Sequence, residues 1–141
     1  MTAVALPLNG GCLCGHMRYQ VSELPRLVYT CHCTDCQHIT GSAFSMAFVV
    51  GRDGFRVDGA MPRELASIAD SGRVKVRCLC PDCGCWVYSL ARPDNGLRRV
   101  RAGTLDDTSR LCPSMHFWTR NKQPWLTLPA GGVVYETQPE A

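Results

Sequence analysis

What most limits how this chain can fold is two cysteine pairs set far apart along it: Cys12-Leu13-Cys14, between Gly11 and Gly15, and Cys80-Pro81-Asp82-Cys83, followed by Gly84. A fold that gathers these four sulfurs closes one tetrahedral site, since structural zinc takes four ligands and is commonly held by thiolates. Closing it staples the N-terminal strands to the middle of the chain. The flanking glycines let the backbone bend around an ion and turn its amides toward the sulfurs. Spacing leaves one alternative open, because Cys85 could exchange roles with Cys83 or reach a second ion.

The second cluster is Cys31-His32-Cys33-Thr34-Asp35-Cys36, three thiols that can reach one ion without closing its shell. A fourth position is then open for chemistry. His38 is the obvious residue to close it, but on the helix expected here it faces away. His32, between two ligands, is expected to point outward, with proton transfer as the alternative role. Cys78, Cys85 and Cys112 are left over, and Cys78 continues the apolar face of its strand as a small core residue.

Ten cysteines in 141 residues need such a reason, because the rest of the chain reads as a reduced, cytoplasmic protein. The start lacks a Lys or Arg before its apolar residues and is interrupted by Pro7, so no signal peptide is expected. No apolar run approaches the length of a membrane helix. With 45% hydrophobic and 19% charged residues, one compact domain is expected at residues 10–135, with flexible tails at 1–9 and 136–141. A formal charge of +3 is too small a surplus to imply nucleic-acid binding.

Met17, Tyr19 and Val21 alternate with polar residues, the pattern of a half-buried strand, and Leu27, Val28 and Tyr29 form a second strand leading into the central cluster. Thr34 as N-cap, with Gln37 returning the hydrogen bond, predicts a short helix ended by Gly41. Cys36 then lies in its first turn, where free amides favour a thiolate. Residues 44–50 and 55–57, joined by Gly51-Arg52-Asp53-Gly54, suggest a hairpin. Residues 64–70 fit a helix or a strand. Val74, Val76 and Cys78 alternate with Arg73, Lys75 and Arg77, and further strands follow at 86–90 and 97–102. Many short strands with little helix indicate an all-β fold.

Several blocks resemble, in order, the glutathione-dependent formaldehyde-activating enzyme family, which also includes the centromere-protein-V-like proteins. They are Gly11-Cys12-Leu13-Cys14-Gly15 with Tyr19, Cys31-His32-Cys33-Thr34-Asp35-Cys36 with Gly41-Ser42-Ala43-Phe44, and Cys80-Pro81-Asp82-Cys83-Gly84. Ala102-Gly103-Thr104-Leu105-Asp106-Asp107, His116-Phe117-Trp118 and Pro124-Trp125-Leu126 complete the match. The resemblance implies several coiled antiparallel β-sheets and two zinc ions per chain. Cys12, Cys14, Cys80 and Cys83 would hold a structural ion, and Cys31, Cys33 and Cys36 a catalytic-type one. The chain departs from the family at Leu79, where an aromatic is usual, and in the extra thiols Cys78 and Cys85.

The activity implied is that of a carbon–sulfur lyase resembling S-(hydroxymethyl)glutathione synthase, joining a small thiol such as glutathione to a small aldehyde such as formaldehyde. Two other classes remain as alternatives: a zinc-stapled binding module without turnover, and a thiol-redox or metal sensor. His116 is a candidate for substrate contact, weighed against a packed strand histidine. Asp106 and Asp107 read as turn and cap residues, or as ligands for a substrate amine. Arg73, Lys75, Arg77, Arg99 and Arg101 read as a solvated sheet face, or as a patch for carboxylates or an RNA backbone.

Overall fold

Alternation of apolar and polar residues dominates the chain, and strands dominate the fold of the computed structural model, which describes residues 4–139. In chain order the strands are β1 (Leu8–Gly11), β2 (Met17–Val21), β3 (Leu27–Cys31), β4 (Ser45–Gly51), β5 (Phe55–Gly59), β6 (Arg63–Ile68), β7 (Val74–Leu79), β8 (Trp86–Arg92), β9 (Leu97–Arg101), β10 (Met115–Phe117) and β11 (Val133–Val134). A single α-helix, α1 (Thr34–Thr40), lies between β3 and β4 among the described residues. The strands form a three-stranded sheet, β1-β2-β5, and an eight-stranded sheet, β11-β10-β3-β4-β9-β8-β7-β6.

Apolar side chains on one face of each sheet meet in the main core. Met17, Tyr19 and Val21 of β2 pack with Phe48 and Val50 of β4, Val76 and Cys78 of β7, Tyr88 of β8 and Val100 of β9. Phe55 bridges the two layers edge-on, with its ring centroid 5.2 Å from Tyr19 and 4.9 Å from Tyr88. The opposite face of the large sheet carries a second, smaller core of Tyr29, Cys31, Ala47, Val49 and Phe117, onto which α1 places Cys36. Cys31 therefore sits among apolar neighbours on the face that α1 covers.

Pairing departs from expectation in two places, and one open choice is decided. The hairpin expected over residues 44–57 does not form: β4 pairs with β3 and β9, whereas β5 pairs with β2 in the other sheet. The 3-10 turn Arg52–Gly54 passes the chain from one layer to the other, and the Gly51 amide is held there by the Glu23 carboxylate. The sheets are not wholly antiparallel, since β10 runs parallel to both β3 and β11. Residues 64–70, which fit a helix or a strand, fall largely in the edge strand β6, paired with β7 and carrying the charged Arg63 and Glu64 at its start.

The ends take more part in the fold than tails would. Leu8 and Asn9 belong to β1, and the carbonyls of Glu136 and Thr137 accept hydrogen bonds from Arg120 and Trp118. The outermost parts of the expected tails, residues 1–3 and 140–141, lie outside the described residues.

Candidate metal centres

The first cysteine group is built by two tight turns. After β1 the Cys12 amide donates to the Met17 carbonyl at 2.9 Å, and Gly15 turns the chain at φ 84°. After β7 the Cys80 amide donates to the Cys85 carbonyl at 2.9 Å, and Gly84 turns at φ 75°. Both glycines occupy left-handed backbone that other residues adopt only at a cost. The turns bring the sulfurs of Cys12, Cys14, Cys80 and Cys83 within 4.8 Å of one another.

Two measured separations are 3.6 Å for Cys12 to Cys14 and 3.7 Å for Cys14 to Cys80. Sulfurs at the corners of a tetrahedron with bonds of about 2.3 Å lie about 3.8 Å apart, so this donor set fits a thiophilic tetrahedral ion. Cys83 and not Cys85 joins the group. Burial opposes ionisation of Cys12, but the Met17 amide and the neighbouring thiols outweigh it and draw its pKa down to about 6. Alongside, the exposed His16 and Asp82 pair at 2.7 Å across the two ligand turns.

The second group joins the end of β3 to the start of α1. Cys31, Cys33 and Cys36 have all three sulfurs within 4.8 Å of one another, and among the described residues no fourth Cys, His, Asp or Glu donor joins them. The N-cap of α1 is Cys33, not Thr34: its sulfur accepts the Cys36 amide at 3.3 Å, so one atom caps the helix and faces the other two sulfurs. Gln37 does not complete a capping box. It donates to the carbonyls of His32 and Asn121 and accepts from Gln123, tying α1 to the C-terminal segment. Gly41 ends the helix at φ 62°.

Bonds from the Cys31 and Cys33 thiols, aided more weakly by the Lys75 ammonium, hold Cys36 well below the ordinary thiol range against the effect of burial. The same sharing pushes Cys31 up. His38 does not close the set, because its Nδ1 lies 2.8 Å from the Thr34 carbonyl of its own helix.

His32 does not point outward. It is 1% exposed, and its Nε2 lies 3.0 Å from the Thr30 hydroxyl, which also meets His116 Nδ1 at 2.7 Å. The parallel pairing of β10 with β3, which sets His116 beside Thr30, makes this buried row. Thr30 has one proton to donate, so one ring accepts from it and the other donates to it. His32 Nδ1 and His116 Nε2 have no hydrogen-bond partner among the described residues. Burial lowers the pKa of both rings, which are neutral near pH 7. His116 is itself 1% exposed.

The remaining candidates have mostly structural partners. Asp106 forms a two-bond pair with Arg18, and Asp107 caps a 3-10 turn through the Ser109 amide. Cys78 is fully buried in the main core, whereas Cys112 is exposed. The basic strand residues are not all solvated: Arg77 and Arg101 are 9% and 7% exposed and gather with Lys75 around Trp86. Sequence reasoning missed this arrangement, along with the anchoring role of Gln37. Alternation alone makes such arginines look like an outer face.

A β-protein with a four-cysteine turn cluster and a separate three-cysteine cluster at a helix start is thus defined by fold and site together. The chain belongs to the glutathione-dependent formaldehyde-activating enzyme family, whose sequence profile matches residues 7–121. No curated protein matches the chain significantly. Among solved structures, a Rhodobacter sphaeroides protein aligns over 90% of this chain and 98% of its own with a TM-score of 0.56 and 17% identity, a likeness of fold.

Two outcomes follow. Cys33→Ser keeps a capping atom for α1 but removes a thiolate, so metal analysis should show a partial loss of bound metal while the protein still unfolds cooperatively. Cys80→Ser should lose the cooperative transition together with metal, as circular dichroism on heating will show. His116 adds a pH dependence. Its folded pKa lies below its unfolded value, so its contribution to stability is present above the unfolded pKa, near 6.5, and is lost as pH falls below it. His116→Gln should therefore flatten the fall in urea midpoint between about pH 7.5 and 5.5.

Proposed function

We propose that this protein is a zinc-dependent carbon–sulfur lyase-type enzyme, joining glutathione or a similar small thiol to formaldehyde or another small aldehyde. The observation that supports it best is the three-sulfur group at β3 and α1, which lacks a fourth protein donor among the described residues. In this reading Cys12, Cys14, Cys80 and Cys83 hold a structural zinc ion, and Cys31, Cys33 and Cys36 hold a second one whose fourth position is left for substrate. An ion held by these three sulfurs would supply acidification of a thiol substrate, so that it would react as a thiolate near neutral pH.

Three anionic sulfurs donate strongly and weaken Lewis acidity, which favours thiol activation over polarisation of the aldehyde. The substrate sulfur's lone pair then forms the C–S bond to the carbonyl carbon. The C=O π pair moves to oxygen, which takes up a proton in place of the one the thiol released. The protein's part is to hold and orient. Cys33 fixes the start of α1, and the free amides of that first turn favour negative charge beside them. Gln37 locks the helix against the C-terminal segment, and the neutral His32 adds no positive charge to compete for the thiolates.

The chemistry needs reduced thiols, which suits the cytoplasm. Among the described residues no helix is long and apolar enough to cross a membrane. The test follows the adduct directly. Zinc-loaded protein mixed with glutathione and formaldehyde should speed formation of the hydroxymethyl thioether seen by NMR, and Cys36→Ser should return the rate to the uncatalysed one. A wild-type rate equal to the uncatalysed one rejects the reading.

A further inference from the structure

The face of the large sheet that carries Cys31 also carries a set of cations. Strand pairing runs from Cys31 to Ser45 across β3 and β4, from Ala47 to Arg101 across β4 and β9, and from Arg99 through Ser89 to Arg77 across β9, β8 and β7. Side chains on alternate residues share a face, so Cys31, Ser45, Arg101 and Arg77 lie on one side. Arg101 is two strands across from Cys31 and two residues along, a backbone separation of about 12 Å, which its long side chain can shorten.

Trp86 should point the other way, since it stands two residues from Tyr88 of the main core. An extra residue in β8, where Cys78 pairs with Tyr88 but Leu79 pairs with Trp86, reverses its side. Trp86 Nε1 then donates to Ser89 Oγ at 2.9 Å, which fixes the ring on the Cys31 side. Over that ring lie the Arg101 guanidinium at 4.0 Å, the Arg77 guanidinium at 5.3 Å and the Lys75 ammonium at 5.6 Å.

These cations are costly as they stand. Among the described residues none of the three forms an ion pair with an Asp or Glu, although most other arginines of the chain do. Arg101 is 7% exposed, and among the described residues its Nε and one terminal nitrogen have no hydrogen-bond partner; Arg77 Nε has none there either. A buried guanidinium with unused donors is unfavourable until an anion meets it. Arg101 and Trp86 line a cleft of about 510 Å³, whose walls also include Thr40 of α1, Ser45, Met46 and Cys85. Thr40 donates to the Cys36 carbonyl at 2.7 Å, and Ser45 pairs with Cys31, so the cleft borders the three-sulfur group.

We propose that Arg101, held on the Trp86 ring and backed by Arg77 and Lys75, is a carboxylate-binding subsite for the thiol substrate. The inference rests on the thiol-enzyme reading and deepens it: the preferred substrates are thiols that carry a carboxylate several bonds from sulfur, and neutral thiols are poor ones. Arg101 supplies a planar pair of donors that matches a carboxylate, and Trp86 fixes its plane. Arg77 and Lys75 add positive potential without needing to touch the ligand.

The test separates binding from chemistry by using S-methylglutathione, whose blocked sulfur cannot become a thiolate, and its dimethyl ester, which lacks the carboxylates. Calorimetry on zinc-loaded protein should show the acid binding more tightly than the ester by about ten- to a hundredfold. Arg101→Gln should remove that preference, with Arg101→Lys restoring part of it. If Arg101→Gln fails to fold by circular dichroism, Lys75→Gln serves in its place and should reduce the preference. Equal binding of acid and ester by the wild type overturns the proposal, as does a preference that survives Arg101→Gln in a folded protein. An Arg101-dependent preference without catalysed adduct formation upholds the subsite and rejects the lyase reading instead.

Discussion

The structure depends on four sulfurs meeting. Cys14 and Cys80 are 66 residues apart and lie 3.7 Å from each other, and few other polar contacts tie the β1–β2 turn to the β7–β8 turn. Like thiolates repel, and buried thiols without a partner gain little from being gathered, so this convergence makes physical sense as a ligand set. It holds the small sheet against the large one at one end, and the core between Met17, Phe48 and Val76 fills in behind it. The knuckle that begins with Cys80 also directs the chain into β8, where the extra residue before Tyr88 aims Trp86 at the other cysteine group.

The two groups differ in what surrounds them. One is formed by two turns, carries four thiols and lies partly at the surface. The other is formed where a strand hands over to a helix, carries three thiols, and has a row of neutral histidines on one side and a cationic cleft on the other. In the proposed reading, that asymmetry assigns a structural role to the first group and a chemical one to the second. In the same reading Lys75, Arg77 and Arg101 have a purpose, since their positive potential would offset thiolate charge and attract an anionic thiol.

Much of this was legible in the sequence. The alternation in Met17, Tyr19 and Val21 and in Val74, Val76 and Cys78 marks strands because each has one face on the core, and Gly41 marks a helix end because only glycine takes that backbone readily. Valence suggests a four-plus-three grouping of the cysteines, but spacing leaves Cys83 and Cys85 interchangeable, and only the fold brings Cys83 to Cys12, Cys14 and Cys80. What stayed hidden depends on which strand lies beside which. Nothing local to residues 44–57 says that β4 and β5 enter different sheets, and nothing near His32 says that β10 will run parallel to β3 and bury it. Arg77 and Arg101 look like outer residues until β8 places an indole between them. Thr34 reads as a better cap than Cys33 because propensities describe oxygen caps, and here a sulfur does the work.

X-ray absorption at the zinc edge, taken on loaded protein before and after glutathione is added, bears most directly on the claim that one site is closed and the other open. One four-sulfur site and one three-sulfur site give a mean of about 3.5 sulfurs per zinc, rising to about 4 when a thiol enters the open position. A mean that starts at about 4 and does not change with glutathione means that both sites are closed, and contradicts the account.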